Sequence, residues 1–495
     1  MENGFVIPKW ATNAQGYIDA LRRAGDTLPP EDIRDGIDML SEKRIAEILE
    51  AESEYPANGA VYYVSADGDD DNDGRSPEKA WRTLEKASEA GRYEIGDTVL
   101  FRRGDVFRGE LRIHCGVTYS AYGEGRKPRL YGWDKNSADP SLWKETDVEN
   151  VWEYTESIEN DIGNMVFDEG KQWARKVIKS FEEDGRSLDF RAKREFYTYK
   201  DLCENMTFWH DNDSGVLYLR CEVGNPGECF YEIEMGQRRR IMLNGSTPHH
   251  VTIDNLCVMH TGYHGIGVGN ARGLTIRNCE FGWIGGSIQM GLVWNRTWPT
   301  PFGNAIEIYG EAKDFTVDNN YVHDVYDAAA THQFSRDSNY PRIFNYNVRY
   351  SNNVFERCVY GVEIFIGGIE GTERRNDVVT IENNILRMGG GFGHEQRPDE
   401  NVTALIRNGA TTINTTAYVV RNNILDRSKT RLITADDDGA SLAEYFGNIY
   451  VQKKGTELLS RYSESFEASR EGESVLVGRG HEHDALMIFT DELGY

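Results

Sequence analysis

The chain has 495 residues, of which 39% are hydrophobic and 27% charged, and its formal net charge is −26. This composition excludes a collagen-like or mostly disordered chain, because it supplies enough apolar material for a hydrophobic core. A surface this acidic repels phosphate groups, so we expect neither nucleic acid nor a membrane surface as a partner. The sequence has no apolar run of about 18 residues and no basic-then-apolar start, which predicts a cytoplasmic protein. Its seven cysteines lack paired short spacings and are expected to be reduced thiols.

The sequence divides into five stretches that differ in pattern. The first is helical, because Ile33, Ile37 and Leu40 recur near a 3.6-residue period. We expect this segment to pack against the main body, and a homodimer contact through it is left open. The predicted boundaries are 1–58 for the helical segment, 59–132 for a cap and first coils, 133–240 for an inserted β-rich domain, 241–455 for a repetitive β domain and 456–495 for a C-terminal tail.

An acidic turn lies near the start of the second stretch. Asp69, Asp71 and Asp73 are spaced like the opening of a calcium-binding loop. The twelfth position of such a loop is Ala80, however, where a bidentate acid is required. We therefore predict a solvated turn, no metal site and no cofactor; a looser structural cation such as calcium has no further support in the sequence.

The strongest pattern is a repeat between residues 249 and 455. Its segments alternate apolar and polar residues, place an asparagine at a bend and then resume an apolar strand: VTIDNLCV, LTIRNCEF, FTVDNNYV, VRYSNNVF, VTIENNIL, YVVRNNIL and EYFGNIYV. The aligned asparagines are Asn255, Asn278, Asn319, Asn352, Asn383, Asn422 and Asn448. Such repeats are typical of a parallel β-solenoid, in which stacked asparagine amides bond the neighbouring backbone and tolerate a left-handed bend.

A second set of short strands lies between the asparagine segments. These strands are GIGVG, NAIEIYG, AATHQFS, GVEIFIG, TALIRNG and RLITAD. Residues 283–303, 335–346, 367–377, 388–402 and 409–416 are insertions that flank them. Insertions concentrated around one column of strands indicate the binding face of a repeat protein.

The sequence YYVSADGDDDNDGRSPEKAWRTLEKA, followed by GDTVLFRRG and the asparagine-containing coils, resembles the right-handed parallel β-helix carbohydrate-active enzymes. This superfamily contains glycoside hydrolases, polysaccharide lyases and epimerases, so the resemblance implies an all-β fold and a carbohydrate substrate. The stretch 133–240 resembles the sandwich-like insertion of some β-helix exo-glycosidases. The adjacent aspartates and the Gly-His-Gly of polygalacturonases are not matched by Gly262-Tyr263-His264-Gly265, which disfavours that subgroup.

Strand alternation gives the second set of strands an inward and an outward face. The outward residues of successive coils are Gly267, Glu307, Thr331, Glu363 and Arg407, with Asp327 at the entrance of this outer column. Coils stack about 4.8 Å apart, so the Cα atoms of Glu307 and Glu363 are expected roughly 9–10 Å apart. Glycoside hydrolysis needs two carboxyl groups, roughly 5–5.5 Å apart for retention and about 6.5–9.5 Å for inversion. We therefore predict that Glu307, Asp327 and Glu363 are catalytic, and leave their roles and the stereochemistry open.

Further residues are predicted to bind the sugar. Trp283, Trp294 and Trp298 lie in one insertion, where they either stack on sugar rings or pack the insertion onto the coil. His332 falls on the inward parity, so its alternative is a buried, hydrogen-bonded histidine. The remaining candidates are Tyr309, Gln333, Phe365, His394 and Arg407, the last of which either binds a uronate or pairs with Glu363.

The leading hypothesis is an exo-acting glycoside hydrolase that cleaves oligosaccharides with two of the three acids. The first alternative is a polysaccharide lyase or uronate epimerase, which needs a base such as Tyr309 or His332 and a cation such as Arg407. The second alternative is a glycan-binding solenoid without activity. The sequence favours hydrolysis, because the outer column contains more acids than bases.

Overall fold

The computed structural model describes residues 5–9, 11, 13–53, 58–89, 91–243, 247–293, 295–334, 342–366, 373–397, 403–409, 414–415, 418–435, 443–461 and 464–494. The main body is a parallel β-helix, in which three columns of parallel strands, here called the first, second and third sheets, follow one axis. The all-β class and the solenoid predicted from the repeat are confirmed. Among the described residues, no helix combines the length and the apolar character needed to cross a bilayer.

Most coils contribute one strand to each sheet. The first sheet contains Val61–Val64, Thr98–Arg102, Thr118–Tyr122, His249–Asp254, Ala271–Arg277, Ala312–Asp318, Arg342–Ser351, Glu373–Glu382, Tyr418–Arg421 and Ala443–Phe446, with Asn414–Thr415 beside it. The second sheet contains Val106–Arg108, Arg129–Tyr131, Cys257–Thr261, Glu280–Ile284, Ile385–Gly389, Ile424–Ser428, Ile449–Lys453 and Leu486–Thr490. The third sheet contains Leu111–Arg112, Met242–Leu243, Ile266–Val268, Ile306–Tyr309, Ala404–Asn408, Arg431–Ala435 and Glu457–Arg461. Two long strands, Tyr321–Phe334 and Val354–Ile366, run from the second sheet into the third.

The interior is filled by the inward residues of every coil. One file of paired residues in the first sheet consists of Ile253, Ile276, Val317, Tyr350, Ile381 and Val420, all of them buried. Burying one such side chain contributes about 1.5–3 kcal/mol. The alternation of apolar and polar residues therefore determines which face of each strand points inward.

At the bend between the first and second sheets, two adjacent residues have different structural roles. Those at the first position have a left-handed backbone with φ from 52° to 58°: Asn255, Asn278, Asn319, Asn352, Asn383 and Asn422. Those at the second position are buried asparagines whose Oδ1 accepts a backbone N–H of the preceding coil: Asn320, Asn353, Asn384, Asn423 and Asn448. The predicted ladder exists, but the alignment of Asn448 with the first position is wrong. Gly447, with φ of 69°, occupies that position in its coil.

Two N-terminal helices cover the outer face of the second sheet. They extend over Ala14–Gly25 and Pro30–Leu49, and their apolar residues join those of the sheet in one cluster. The Asp38 carboxylate accepts a hydrogen bond of 2.6 Å from Arg427, a fully buried residue of the sheet. The expectation that this segment packs against the main body is confirmed. The other helices are Leu84–Ala87, Pro226–Cys229, Gly391–Gln396 and Arg470–Gly478.

The stretch between the first coils and the repeats forms two separate sheets. A seven-stranded sheet contains Trp143–Glu145, Val151–Tyr154, Ile162–Phe167, Gln172–Lys176, Thr207–Asp211, Val216–Arg220 and Ile233–Gln237. A three-stranded sheet contains Lys179–Phe181, Ser187–Asp189 and Arg194–Glu195. Asn164 fastens the larger sheet to the coils, because its amide donates to the carbonyls of Thr261 at 3.1 Å and Gly285 at 2.9 Å.

A hairpin of the β-helix rests on this inserted sheet. Its strands are Ser287–Met290 and Thr300–Phe302. The Asp161 carboxylate, on the inserted sheet, accepts hydrogen bonds of 2.6 Å from the Ile288 backbone N–H and from Lys176 Nζ. Lys176 and Asp161 are both buried, so each charge is satisfied by the other. The insertion thereby holds the hairpin in place.

Candidate active site

The predicted outer column of the third sheet is confirmed by the strand register. Each residue is paired with the next in the order Gly267, Glu307, Thr331, Glu363 and Arg407. Ile306 and Ile308, on either side of Glu307, belong to the hydrophobic core, as do Val362 and Ile364 on either side of Glu363. The two glutamates therefore project outward from the coil.

A cavity of about 800 Å³ lies over this column. Glu307 and Asp327 both line it, and Glu363 is buried beside them. Met290 and Phe302, from the hairpin that the insertion holds, form one wall. The other lining side chains include Arg240, Tyr263, His264, Tyr309, Gln333 and Phe365. Two of the three predicted acids thus meet in one solvent-facing cavity.

Glu307 is held by three uncharged side chains. Asn304 Nδ2 and Gln333 Nε2 each donate to Glu307 Oε2 at 2.7 Å. His264 Nδ1 accepts the Asn304 backbone N–H at 3.0 Å, so the proton of the neutral imidazole is on Nε2. That Nε2 lies 3.1 Å from Glu307 Oε1 and donates to it. Burial lowers the pKa of His264 to about 3, which keeps the imidazole in this neutral form.

Asp327 and Glu363 each face an arginine. Arg397 Nη1 donates to Asp327 Oδ1 at 2.9 Å, and Arg407 Nη1 donates to Glu363 Oε1 at 2.8 Å. Arg407 also lies over the Tyr360 ring, 4.6 Å from its centroid. Of the two alternatives for Arg407, the structure shows the pairing with Glu363.

Burial raises the pKa of two of the acids. Glu307 and Glu363 are 6% and 4% exposed, and desolvation raises the pKa of each to about 7. The charge of Glu363 adds to this rise at Glu307, and the charge of Asp327 adds to it at Glu363, where Arg407 opposes it. A carboxyl group that keeps its proton near neutral pH is what a general acid requires.

The raised pKa of Glu307 has a measurable effect on stability. An unfolded glutamate has a pKa of 4.5 and the folded one about 7, so stability is lost as the pH rises between these values. Glu307→Gln removes this loss, which amounts to about 3 kcal/mol when complete. We expect the variant to gain thermal stability over the wild type at about pH 8 and to gain little at about pH 4. If the midpoint of thermal unfolding differs between the variant and the wild type by the same amount at both pH values, the pKa of Glu307 is not raised in the folded state.

Exposed aromatic rings lie beside the acids on the same strands. Tyr309 pairs with Gln333, and Gln333 pairs with Phe365. Tyr309 is 47% exposed and Phe365 36%, and both line the cavity. Two coil steps place the rings about 10 Å apart. The Tyr309 and Phe365 rings, here called the platform, therefore give this side of the cavity an exposed aromatic surface, with Gln333 between them.

Other predicted sugar-binding residues lie elsewhere. His332 is fully buried, with Nδ1 2.8 Å from the Tyr350 hydroxyl, so the sugar-binding prediction for His332 is corrected to its buried alternative. Trp283 packs against Phe392 and is 7% exposed, away from this cavity. Trp298 lies against Phe190 of the insertion, with ring centroids 5.1 Å apart.

The two remaining candidates do not add to the lining of the cavity. His394 lies on the helix Gly391–Gln396, whose following residue Arg397 reaches Asp327. The imidazole of His394 is half-buried beside Glu395 and Lys429 and does not line the cavity. Trp294 lies outside the described residues.

Sequence reasoning missed His264, Asn304 and Arg240. His264 and Asn304 precede their strands, where the alternation rule gives no orientation. Arg240 follows the insertion, whose end has no periodic pattern. For Asn304, the sequence offers one signal: a polar residue lies three positions before the outward Glu307, in GNAIEIYG.

No group of three or more His, Cys, Asp or Glu side chains in the described part of the chain is arranged to hold a metal ion. In the acidic turn, Asp70 accepts hydrogen bonds from the backbone and hydroxyl of Thr83 and from the backbone of Arg82. Asp73 accepts one from the Arg75 backbone. These contacts are those of a structural turn.

Comparison with known proteins gives structural likeness only. Neither a protein-family model nor a curated protein matches the sequence. The chain is similar to XylC in its complex with xylose, at 12% identity, a TM-score of 0.46, and coverage of 86% of this chain and 82% of that chain. It is also similar to a GH136 lacto-N-biosidase from Eubacterium ramulus, at 12% identity, a TM-score of 0.39, and coverage of 95% and 72%.

A third similar structure is the polygalacturonase from Erwinia carotovora ssp. carotovora, at 10% identity, a TM-score of 0.33, and coverage of 84% of this chain and 97% of that chain. The parallel β-helix of this chain is established by its own strand pairing.

Proposed function

We propose that the chain is a glycoside hydrolase in which Glu307 is the general acid and Asp327 the nucleophile or base. The observation that carries the proposal is that both carboxyl groups line one cavity, where burial raises the pKa of Glu307 to about 7. A carboxyl group that keeps its proton, with a second carboxyl group in the same cavity, is the minimum that glycoside hydrolysis requires.

The contacts of Glu307 suit proton donation to a leaving oxygen. Asn304 and Gln333 both donate hydrogen bonds to Glu307 Oε2, so the carboxyl proton of Glu307 is carried on Oε1. Once this proton passes to the glycosidic oxygen, negative charge develops on the carboxylate. The His264 Nε2–H, 3.1 Å from Oε1, stabilises that charge without changing its own protonation.

Asp327 has one oxygen fixed and one available. Oδ1 accepts from Arg397, whereas Oδ2 has no hydrogen-bond donor in the described ranges of the chain. That second oxygen attacks the anomeric carbon in a retaining mechanism or activates a water molecule in an inverting one. Glu363, next to both acids, raises the pKa of Glu307 by its charge and holds Arg407 in place.

Exo-action is part of the proposal. Tyr263, Phe302 and Met290 stand together at one side of the cavity, and the Tyr263 and Phe302 rings meet edge to face at 4.4 Å. Apolar side chains at this place limit how far an oligosaccharide extends past the acids. The platform of Tyr309 and Phe365 then binds the sugar units that remain in the cleft.

One observation favours the second candidate, a uronate lyase or epimerase. Arg240 lines the cavity and donates to the Tyr263 hydroxyl at 2.9 Å, and it makes no ion pair with a carboxylate among the described residues. A guanidinium and a phenol at one site are what abstraction of a proton beside a uronate carboxylate needs. Glycoside hydrolysis remains preferred, because the acids outnumber such groups.

The test is a product assay with the full chain. A panel of aryl α- and β-glycosides and of unlabelled trisaccharides, including trigalacturonate, is incubated with it. Hydrolysis releases phenol and new reducing ends, and proton NMR of the first product distinguishes retention from inversion. Single sugars or a constant small unit indicate exo-action. Unsaturated products that absorb in the ultraviolet indicate a lyase, and no product at any enzyme loading contradicts both enzymes.

A further inference from the structure

A second cavity, of about 650 Å³, lies over the second sheet, on a different column of strands from the acids. Its floor contains Tyr131, Met259 and His323, which stand on successive coils around Gly282. Its walls come from separate parts of the chain: Leu49 ends the second helix, the loop 123–127 follows a first-sheet strand, and Glu169 belongs to the insertion. The cavity therefore exists only in the assembled fold.

Three buried polar atoms of residues that line this cavity lack a hydrogen bond. His260 Nδ1, His323 Nε2 and Arg129 Nε are buried and have no hydrogen-bond partner in the described part of the chain. His260 is 2% exposed and His323 7%, and His323 Nε2 forms an ion pair with Glu280 Oε1 at 3.6 Å. Buried polar groups in native proteins are satisfied, so atoms of this kind within a cavity indicate that a ligand or water completes them.

Neither sign of charge predominates around the cavity. The cations are Arg103, Arg126, Lys127, Arg129 and His323, whose pKa Asp324 and Glu280 raise to about 9 against its burial, and the carboxylates are Glu50, Glu52, Glu124, Glu169 and Glu280. Several are already neutralised or hydrogen-bonded by the protein, as Arg126 is by Glu169 at 3.0 Å and Lys127 by Asn255 at 2.7 Å. A phosphate or uronate would meet carboxylates, and a cation would meet arginines. The lining therefore suits an uncharged ligand with many hydroxyl groups.

Aromatic side chains complete the lining. Tyr131 and Trp283 both border the cavity, and their side chains are largely buried, at 3% and 7% exposed. Gly170 packs closely against the indole, because a Cβ atom there would lie 2.9 Å from Trp283 Nε1. Sugar-binding sites combine aromatic side chains with hydrogen-bond donors and acceptors, as this lining does.

We propose that this cavity is a second binding site, for an uncharged oligosaccharide, separate from the catalytic cleft. It lies on the second sheet, whereas the acids lie on the third, so a sugar bound here does not contact them. Its volume falls in the range of ligand pockets, about 300–1,000 Å³. The proposal does not depend on hydrolysis, because it concerns binding alone.

The experiment uses the full chain carrying Glu307→Gln, so that no probe is consumed. Xylotriose, cellotriose and trigalacturonate are titrated into it by calorimetry. Met259→Trp fills the floor of the cavity, and Met39→Trp, at a 50% exposed position on the second helix, is the matched control. We expect a neutral trisaccharide to bind, with an affinity that Met259→Trp weakens by about tenfold or more and Met39→Trp leaves unchanged.

A second measurement guards against misfolding of the tryptophan variant. Hydrogen exchange in the Glu307→Gln chain is compared with and without each trisaccharide, and we expect a neutral one to protect residues 123–127. The proposal is overturned if Met259→Trp binds as tightly as its parent, or if Tyr309→Ala abolishes all binding. It is also overturned if trigalacturonate alone binds, or if neither neutral sugar binds or protects the loop. None of these results depends on whether the wild type hydrolyses glycosides.

Discussion

Replacing Glu307 by glutamine is expected to lower kcat for a cleaved glycoside by about a thousandfold or more, with little change in KM. The amide keeps the shape of the side chain and its place beside Asn304 and Gln333, but it has no acidic proton to give to the leaving oxygen. The measurement is steady-state kinetics on whichever glycoside the wild type cleaves. Turnover within about tenfold of the wild type would remove Glu307 from the mechanism.

The choice of leaving group separates the two catalytic roles. A substrate whose phenol leaves readily needs little protonation, so Glu307→Gln should recover much of its rate on it. Asp327→Asn should remain slow on the same substrate, because attack at the anomeric carbon is what it impairs. Glu311→Gln is the matched control, since Glu311 pairs with Lys313 at 2.9 Å outside the cluster of acids and should retain turnover within about twofold. If Asp327→Asn recovers instead, the two roles are exchanged.

The outer column could be predicted because orientation along a strand is a local property. In NAIEIYG, the apolar Ile306 and Ile308 must face the core, so Glu307 between them faces outward. The same rule gave Glu363 on the long strand Val354–Ile366. The order of the coils followed from the repeat. The sequence alone therefore placed Glu307 and Glu363 two coils apart in one column, as the strand pairing shows.

The rest of the site depends on contacts between distant segments. Arg397 reaches Asp327 only because the helix Gly391–Gln396 packs against that strand, and a sequence repeat carries no information about such packing. His264 reaches Glu307 from a bend on the preceding coil. Trp283 had two interpretations from sequence, and which one applied depended on the inserted sheet that packs over it.

The asparagine doublets show the same limit within the repeat itself. In segments such as VRYSNNVF, either asparagine aligns with the single asparagine of EYFGNIYV. The backbone separates them, because Asn352 has φ of 58° and an outward amide that bonds Asp318, whereas Asn353 is fully buried. Only the second asparagine links one coil to the next through the interior.

Asn353→Leu is therefore expected to destabilise the fold by about 3 kcal/mol or more. Leucine has a similar size, but it leaves the Asn320 backbone N–H and the Val317 carbonyl, now bonded at 2.9 Å and 3.0 Å, without partners in the interior. Asn352→Gly should cost less than about 1 kcal/mol, since glycine adopts the left-handed backbone without strain. Thermal unfolding of both variants provides the comparison. Asn353 donates and accepts hydrogen bonds inside the coil, whereas the main role of Asn352 is to adopt the left-handed backbone of the bend. Equal losses for the two substitutions would mean that the bend, and not the buried amide, joins the coils.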